Sequence, residues 1–355
     1  MEIQDIATKR LYSQQLSRTN LHQPVDVVSW LGAVQAQDYS GAKWSLGLRL
    51  PPITDPGIEQ DITDKAIFRT WLLRGTLHFV SAGDIHWMLA LVAGRIISGN
   101  KRRYLELELD EKTLMRSNDL LSKALQGANQ MDRKSLLAVL ENEGISTKGQ
   151  RGVYMLQRAS LDGLICQGTM YAKIPGFTRL EKVPSKSIHR DEAIAKLASR
   201  YFTSRGPATL QDYTWWSGLS AAEAKAGLDS IKSHFIHETM ADQTYWFSPL
   251  RQLENDPAQS ILLLPGFDEY LLSYKDRSAS LDVPNYNRLI PTNGMLPATI
   301  VINGRVVGTW KRTFKKGAVY IVLSPFNPLS TAEYNGATTA ASRLGDFLGM
   351  PAILI

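Results

Sequence analysis

MDRKSLLAVLENEG-ISTKGQ-RGVYMLQRASLDG-LICQGTMYAKI, residues 131–174, is the stretch that decides the fold. Its first part reads as a capped helix from Asp132 to Glu143, stopped by Gly144. ISTKGQ is a turn. RGVYMLQRASLDG is a second helix, with Val153, Leu156 and Leu161 roughly on one face. LICQGTMYAKI follows as two short strands around Gln167-Gly168. Helix, turn, helix and two-stranded ribbon is the order of a winged helix.

Downstream the order recurs. RDEAIAKLASRYFTSRG is a helix, and GPATLQDYTWWSG is the next, capped by Thr209. LSAAEAKAGLDSI is a third, with Ser220 and Glu223 spaced as a capping box. FIHETMADQTYWFSP supplies two strands around Ala241-Asp242. Upstream, the first hundred residues read mainly as helix. DIATKRLYSQQL places Tyr12 and Leu16 one turn apart, and PVDVVSWLGAVQAQ opens on proline at a first turn. SGAKWSLGLRL continues as a short helix capped by Ser40. TDKAIFRTWLLRGTLHFV begins helical, closes at Gly75 and ends extended, making this region a weaker third repeat. The last hundred residues change character. QSILLLPGFDEYLLSY is apolar and strand-rich, and Asn303-Gly304 between alternating apolar residues is a strong hairpin signal. A further strand follows a Lys-Lys-Gly turn, and STAEYNGATTAASRLGDFLG is a closing helix.

The expected class is therefore α+β, with tandem winged-helix repeats, two clear and one weaker, and a C-terminal antiparallel β element. The expected divisions are 1-120, a helical region holding the first winged-helix-like unit; 121-185 and 186-255, the second and third winged helices; and 256-355, a β-rich region with a basic hairpin.

Composition narrows the function classes. Of 355 residues, 44% are apolar and 21% charged, a normal globular balance. No apolar run approaches the ~18 residues that span a bilayer, and MEIQDIATKR lacks the pattern of a signal peptide. One cysteine, Cys166, excludes an intramolecular disulfide, and with six scattered histidines it makes no zinc ligand set. A cytoplasmic, nucleoid-associated protein needing no cofactor and no metal is expected. The net charge of +6 and pI near 9.2 suggest a polyanionic partner. The charge is concentrated: residues 299–324 hold Arg305, Lys311, Arg312, Lys315 and Lys316 and no acid.

Familiar catalytic signatures are missing. There is no P-loop, no G-x-S-x-G elbow and no H-E-x-x-H. Cys166 reads as a small buried thiol, and Trp215 and Trp216 with Tyr213 as core packing. Asp268 and Glu269, adjacent acids on a strand, would point to opposite faces and make a poor catalytic pair. VQAQD (34–38) is more unusual, with two uncharged amides, Gln35 and Gln37, flanking Ala36. Its ordinary reading is a polar helix end.

VQAQD (34–38), RTWLLRGTLHFV (69–80), GPATLQDYTWWSGL (206–219), LLPGFDEYLLSYKDRS (263–278) and NGRVVGTWKR (303–312) together resemble the AlkZ-like winged-helix DNA glycosylases, in matching order along nearly the whole chain. The resemblance implies three winged helices cradling DNA, an added β element, and a Gln-x-Gln motif at the active site. It implies removal of alkylated purines and, in some members, unhooking of interstrand crosslinks attached through purine N7. By this resemblance Gln35 and Gln37 position the attacking water, and Arg74, His78, Lys311 and Arg312 contact DNA. Alone, His78 reads as a structural histidine, Arg74 as an ion-pair partner, and Asp38 as a helix cap; the resemblance gives Asp38 a second reading, a charge near the sugar. The expected partner is double-stranded DNA carrying alkylated purines, and the expected state a monomer. The alternative from the residues is a non-catalytic winged-helix DNA binder, either a regulator or a damage binder.

Overall fold

The computed structural model describes residues 3–127, 129–171, 174–181, 188–249, 261–289 and 295–355. The fold is mixed α+β, in two compact units: Met1–Ile58 with Ile194–Ile355, and Glu59–Ala193. The expected boundaries at 185/186 and 255/256 lie outside the described residues.

The 59–193 unit begins with a hairpin, Ile67–Leu72 against Thr76–Ser81. The sequence reading had this stretch start as a helix closed by Gly75. Instead, β-branched and aromatic residues at Ile67, Phe68, Thr70 and Trp71 favour a strand. Gly75, at φ +79°, serves the hairpin turn. The helices Ile85–Gly99, Lys101–Glu106 and Glu111–Ala124 lead to Arg133–Asn142 and Arg151–Leu161. Asp132 caps the fourth of these by accepting Ser135 N–H, and Gly144 turns the chain at φ +77°. The strands Ile165–Tyr171 and Ile174–Arg179 complete a four-strand antiparallel run ordered 76–81, 67–72, 165–171, 174–179. Gln167-Gly168 is not the turn expected from sequence; it sits inside the first ribbon strand, where the register shifts between Gln167 and Met170. Leu114, Leu121, Leu136, Leu140, Met155, Leu156 and Phe177 form this unit's core.

The other unit carries the helix–helix–ribbon order a second time. Its helices are Leu210–Ser217, with the Thr209/Asp212 capping box, and Ala221–Ile231, with the Ser220/Glu223 box. The ribbon is Ile236–Met240 against Gln243–Phe247, turning at Ala241 and Asp242 with positive φ. The helix Arg190–Arg205 precedes them. Its Tyr201 and Phe202 pack against Tyr213, and Tyr201 also meets Trp216, with ring centroids 5.1–5.5 Å apart.

A five-strand sheet closes this unit, ordered 352–354, 318–325, 305–315, 299–302, 261–264. Four strands are antiparallel as expected; the short strand Ala352–Leu354, not anticipated, joins in parallel. Asn303-Gly304 makes the anticipated turn. A Cβ on Gly304 would lie 2.9 Å from Ala7 Cβ, so the turn also needs glycine for a close approach. The helix Thr331–Leu348 covers the sheet, and its Phe347 stacks 5.1 Å from Trp44. The 263–274 segment is less extended than expected. Strand ends at Leu264, and Asp268 then caps a single helical turn, Glu269–Leu272.

Candidate active site

The amide motif is not a helix end. The helix Pro24–Leu31 stops at Gly32, φ +76°, and Val34–Gln35 is extended. A new helix, Tyr39–Gly47, starts after the motif. Its cap is Asp38 rather than Ser40: the Asp38 carboxylate accepts Gly41 N–H at 3.1 Å. A Cβ on Gly41 would fall 2.6 Å from Asp38 Oδ2, so a larger residue there would displace the cap. Gln35 and Ala36 are buried, whereas Gln37 and Asp38 are exposed. The two amides therefore occupy different environments, one within the protein and one at its surface.

The backbone of the motif rests on a buried charge. Gln35 N–H donates to Glu269 Oε1 at 2.9 Å. Glu269 Oε2 accepts from Arg205 at 2.9 Å, Trp216 Nε1 at 3.0 Å and Ser273 Oγ at 2.6 Å. Both partners of the ion pair are fully buried. Burial pushes the Glu269 carboxyl up, but the Arg205 charge and the hydrogen bonds from Ser273, Arg205 and Gln35 N–H outweigh it and hold the pKa at about 2. The acid is ionised at any working pH. The neighbouring Asp268 is also buried and takes a bidentate pair from Arg49 at 2.8 and 2.9 Å, with Ser45 Oγ at 2.7 Å.

Asp268 and Glu269 thus do not splay from a strand as the sequence suggested; cap and first helical residue, they engage two separate arginines. Sequence reasoning missed Glu269, Arg205, Asp268 and Arg49 as parts of this site. The available signal was two acids amid an apolar run, since buried carboxylates require cationic partners.

The strand Arg305–Lys315 brings Arg312 into the electrostatic reach of the motif. Burial lowers the Arg312 pKa from the usual guanidinium value, opposed by the charges of Asp38 and Asp55. Its guanidinium lies 5.8 Å from the Phe314 ring. Lys311, one residue away, is exposed on the other face of the strand. The remaining two candidates belong to the other compact unit. His78 is fully buried in the strand Thr76–Ser81, with Nδ1 2.8 Å from Thr76 O. Arg74 is half-buried in the turn before it. The structure therefore gathers Gln35, Gln37, Asp38 and Arg312 in one unit and places Arg74 and His78 on the hairpin of the other.

Among the described residues no group of His, Cys, Asp and Glu could hold a metal ion, and no described helix is long and apolar enough to cross a membrane. Cys166 is buried, and burial raises its pKa to about 12, against a small opposing effect of Lys65.

A mixed α+β fold with an amide motif whose first residue is held on a buried acid–arginine pair can be set beside known proteins. A sequence model of the AlkZ-like DNA glycosylase family matches residues 28–347. The chain belongs to that family. An interstrand DNA cross-link repair glycosylase from Streptomyces sahachiroi is 23% identical over 325 residues, covering 85% of this chain and 84% of that protein. The solved structure of the Streptomyces sahachiroi DNA glycosylase AlkZ superposes with a TM-score of 0.80 over the whole of both chains at 19% identity, a likeness of fold.

Proposed function

We propose that the chain is a monofunctional DNA glycosylase that hydrolyses the N-glycosidic bond of cationic or bulky N7-alkylated purines. A neutral purine is a poor leaving group and needs acid assistance. A purine alkylated at N7 already carries positive charge, so it departs readily. The protein's remaining task is to hold a water beneath C1′ while the sugar becomes oxocarbenium-like, as in glycoside hydrolysis. An amide can orient that water through its carbonyl oxygen and NH2 without acting as a strong base.

The observation that carries this reading is the Gln35-Ala36-Gln37 segment, extended at Val34–Gln35 and lying between two helices, in a chain of this family, with Gln37 at the surface and the Gln35 backbone on Glu269. Gln37 presents its amide to the sugar, and the two glutamines together position the water. Lys43, the lysine close to the motif in sequence, pairs with Asp55 at 2.8 Å and so is not offered as a Schiff-base amine, which supports simple hydrolysis. Asp38 adds negative charge near the cationic sugar while capping its helix. The mechanism calls for no metal or cofactor.

Three winged helices, divided as 1-120, 121-185 and 186-255, with the 256-355 β region, would cradle duplex DNA. Arg74 and His78 would hold phosphate or sugar near the lesion, and Lys311 and Arg312 would contact phosphate or enter a groove. The relative named for cross-link repair supports extending the substrate to purines in interstrand crosslinks. Such bases cannot flip freely, which favours an open cleft. The protein would act as a monomer at the nucleoid.

The test is base release from duplex DNA carrying N7-methylguanine, by wild type, Gln35→Ala, Gln37→Ala and the double variant, with DNA binding measured in parallel. Abasic sites from wild type, and variants that bind without release, are expected. Binding by wild type without release of N7-methyl or bulkier purines would overturn the reading in favour of a non-catalytic DNA binder.

A further inference from the structure

The adjacent residues Asp268 and Glu269 fasten both flanks of the glutamine motif. Upstream, Glu269 Oε1 accepts Gln35 N–H at 2.9 Å. Arg205, fixed on the other oxygen, donates to Leu31 O at 2.7 Å and Ala33 O at 3.2 Å. Downstream, Asp268 holds Ser45 and Arg49, which lie within and just beyond the helix Tyr39–Gly47. Arg49 is itself tied to Gln14 by two bonds, at 2.9 and 3.0 Å. Exposed Gln37 lies between these two anchors.

Glu269 cannot serve as the acid or base of the reaction. It is fully buried, and both its oxygens are occupied by protein donors. One of its bonds holds a backbone atom directly, Gln35 N–H, and another fixes Arg205, which in turn holds the Leu31 and Ala33 carbonyls; charge-assisted bonds of this kind are short and directional. Positioning matters greatly here, because a neutral amide has no strong basicity with which to compensate for a misplaced water; a ~1 Å error costs on the order of 100-fold in rate.

We propose that Glu269 and Arg205 are positioning residues for base excision, setting the place of the Gln37 amide through the backbone of residues 31–35, with Asp268 and Arg49 fixing the far side. The assignment rests on the glycosylase reading above. It predicts a fault in the chemical step and not in DNA affinity.

The decisive comparison uses the full chain as wild type, Glu269→Gln, and Glu269→Gln with Arg205→Met. Three quantities are read: single-turnover release of N7-methylguanine, Kd for the same duplex, and hydrogen exchange over residues 31–38. Glu269→Gln should slow release about 30- to 300-fold, leave Kd within about threefold, and speed exchange across the motif. It also leaves Arg205 buried without its counter-charge, so it destabilises the fold. The double variant removes that charge and should recover folding stability. Its release should stay slow, because the Leu31 and Ala33 carbonyls have lost their donor. Recovery of release together with stability would overturn the proposal, reducing the pair to a packing element. Wild-type release matched by Glu269→Gln would also overturn it, while leaving the glycosylase reading intact. If wild type itself releases no base, that reading fails first. Exchange then decides the clamp: unchanged protection of residues 31–38 in Glu269→Gln would end it.

Discussion

Acid should close the stability gap between wild type and Glu269→Gln. The Glu269 carboxyl ordinarily titrates near 4.5 and is held at about 2 in the fold. A depressed carboxyl contributes stability that is fully present above its unfolded pKa and is lost as pH falls through the folded one. The gap between the two values corresponds to roughly 3 kcal/mol at neutral pH. This agrees with the ~3–5 kcal/mol typical of breaking one partner out of a buried ion pair. At pH 3 about 2 kcal/mol of it should be gone, because the unfolded carboxyl is then mostly protonated and the folded one mostly not. Urea unfolding of both proteins at pH 7, 5, 4 and 3 measures this directly. Urea is preferred because guanidinium salt would screen charge. Glu106, Glu111, Glu141 and Asp229 also have lowered pKa values, through side-chain bonds to Arg103, Arg158, Thr147 and Lys225 respectively, but they titrate in both proteins and cancel in the difference. The expected result is a gap that is flat from pH 7 to 5 and narrows from about 4.5 downward. A gap constant down to pH 3, or already closed at pH 5, would refute the view that an ionised Glu269 supports the motif.

Gln37→Ala, at an exposed position, should leave the thermal midpoint within about 1 °C while lowering N7-methylguanine release at least ~100-fold; calorimetry and a single-turnover assay together check it. Gly41→Ala should destabilise by about 1–3 kcal/mol in urea unfolding, since the new Cβ meets Asp38 at 2.6 Å; a neutral result would mean that the Asp38 cap can swing aside at no cost. Cys166, buried with its pKa raised to about 12, should resist a thiol reagent at pH 8 in the native protein and react once unfolded; rapid native labelling would contradict its burial. Lys311→Ala should weaken binding of all duplexes alike and reduce the slope of log K against log salt by about 1 if that side chain contacts phosphate. An unchanged slope would remove it from the interface.

The helices and hairpins written in local code were readable from sequence. Asp132 with Gly144, Thr209, Ser220 with Glu223, and Asn303-Gly304 are local signals, and each marks the element it should. The errors arose where longer-range pairing overrode a local signal. Gly75 looked like a helix stop but turns a hairpin, because the strand Ile67–Leu72 has Thr76–Ser81 to pair with. Gly168 looked like a turn and lies within a strand that the register shift accommodates. The glutamines stood out in sequence, but their support did not. Nothing near Gln35 in the chain points to Glu269, and Asp268-Glu269 in isolation resembles a polar interruption of a strand. Only the burial of Arg49 and Arg205 shows why two acids belong there.

The bond from Gln35 to Glu269 joins residues 234 positions apart. Synthesis runs from the N-terminus, so the ribosome completes the glutamine motif long before it makes the acid that holds it. Until then the stretch around residue 35 has neither Glu269 nor Asp268 to organise it, and loop closure over such a length is slow. A chain released before residue 268 would contain both glutamines, yet lack their common anchor. Such a fragment would also lack the basic strand Arg305–Lys315 and, on the reading proposed above, would be unable to excise a base. The late arrival of one dipeptide thus makes synthesis beyond residue 269 a condition for the proposed base excision.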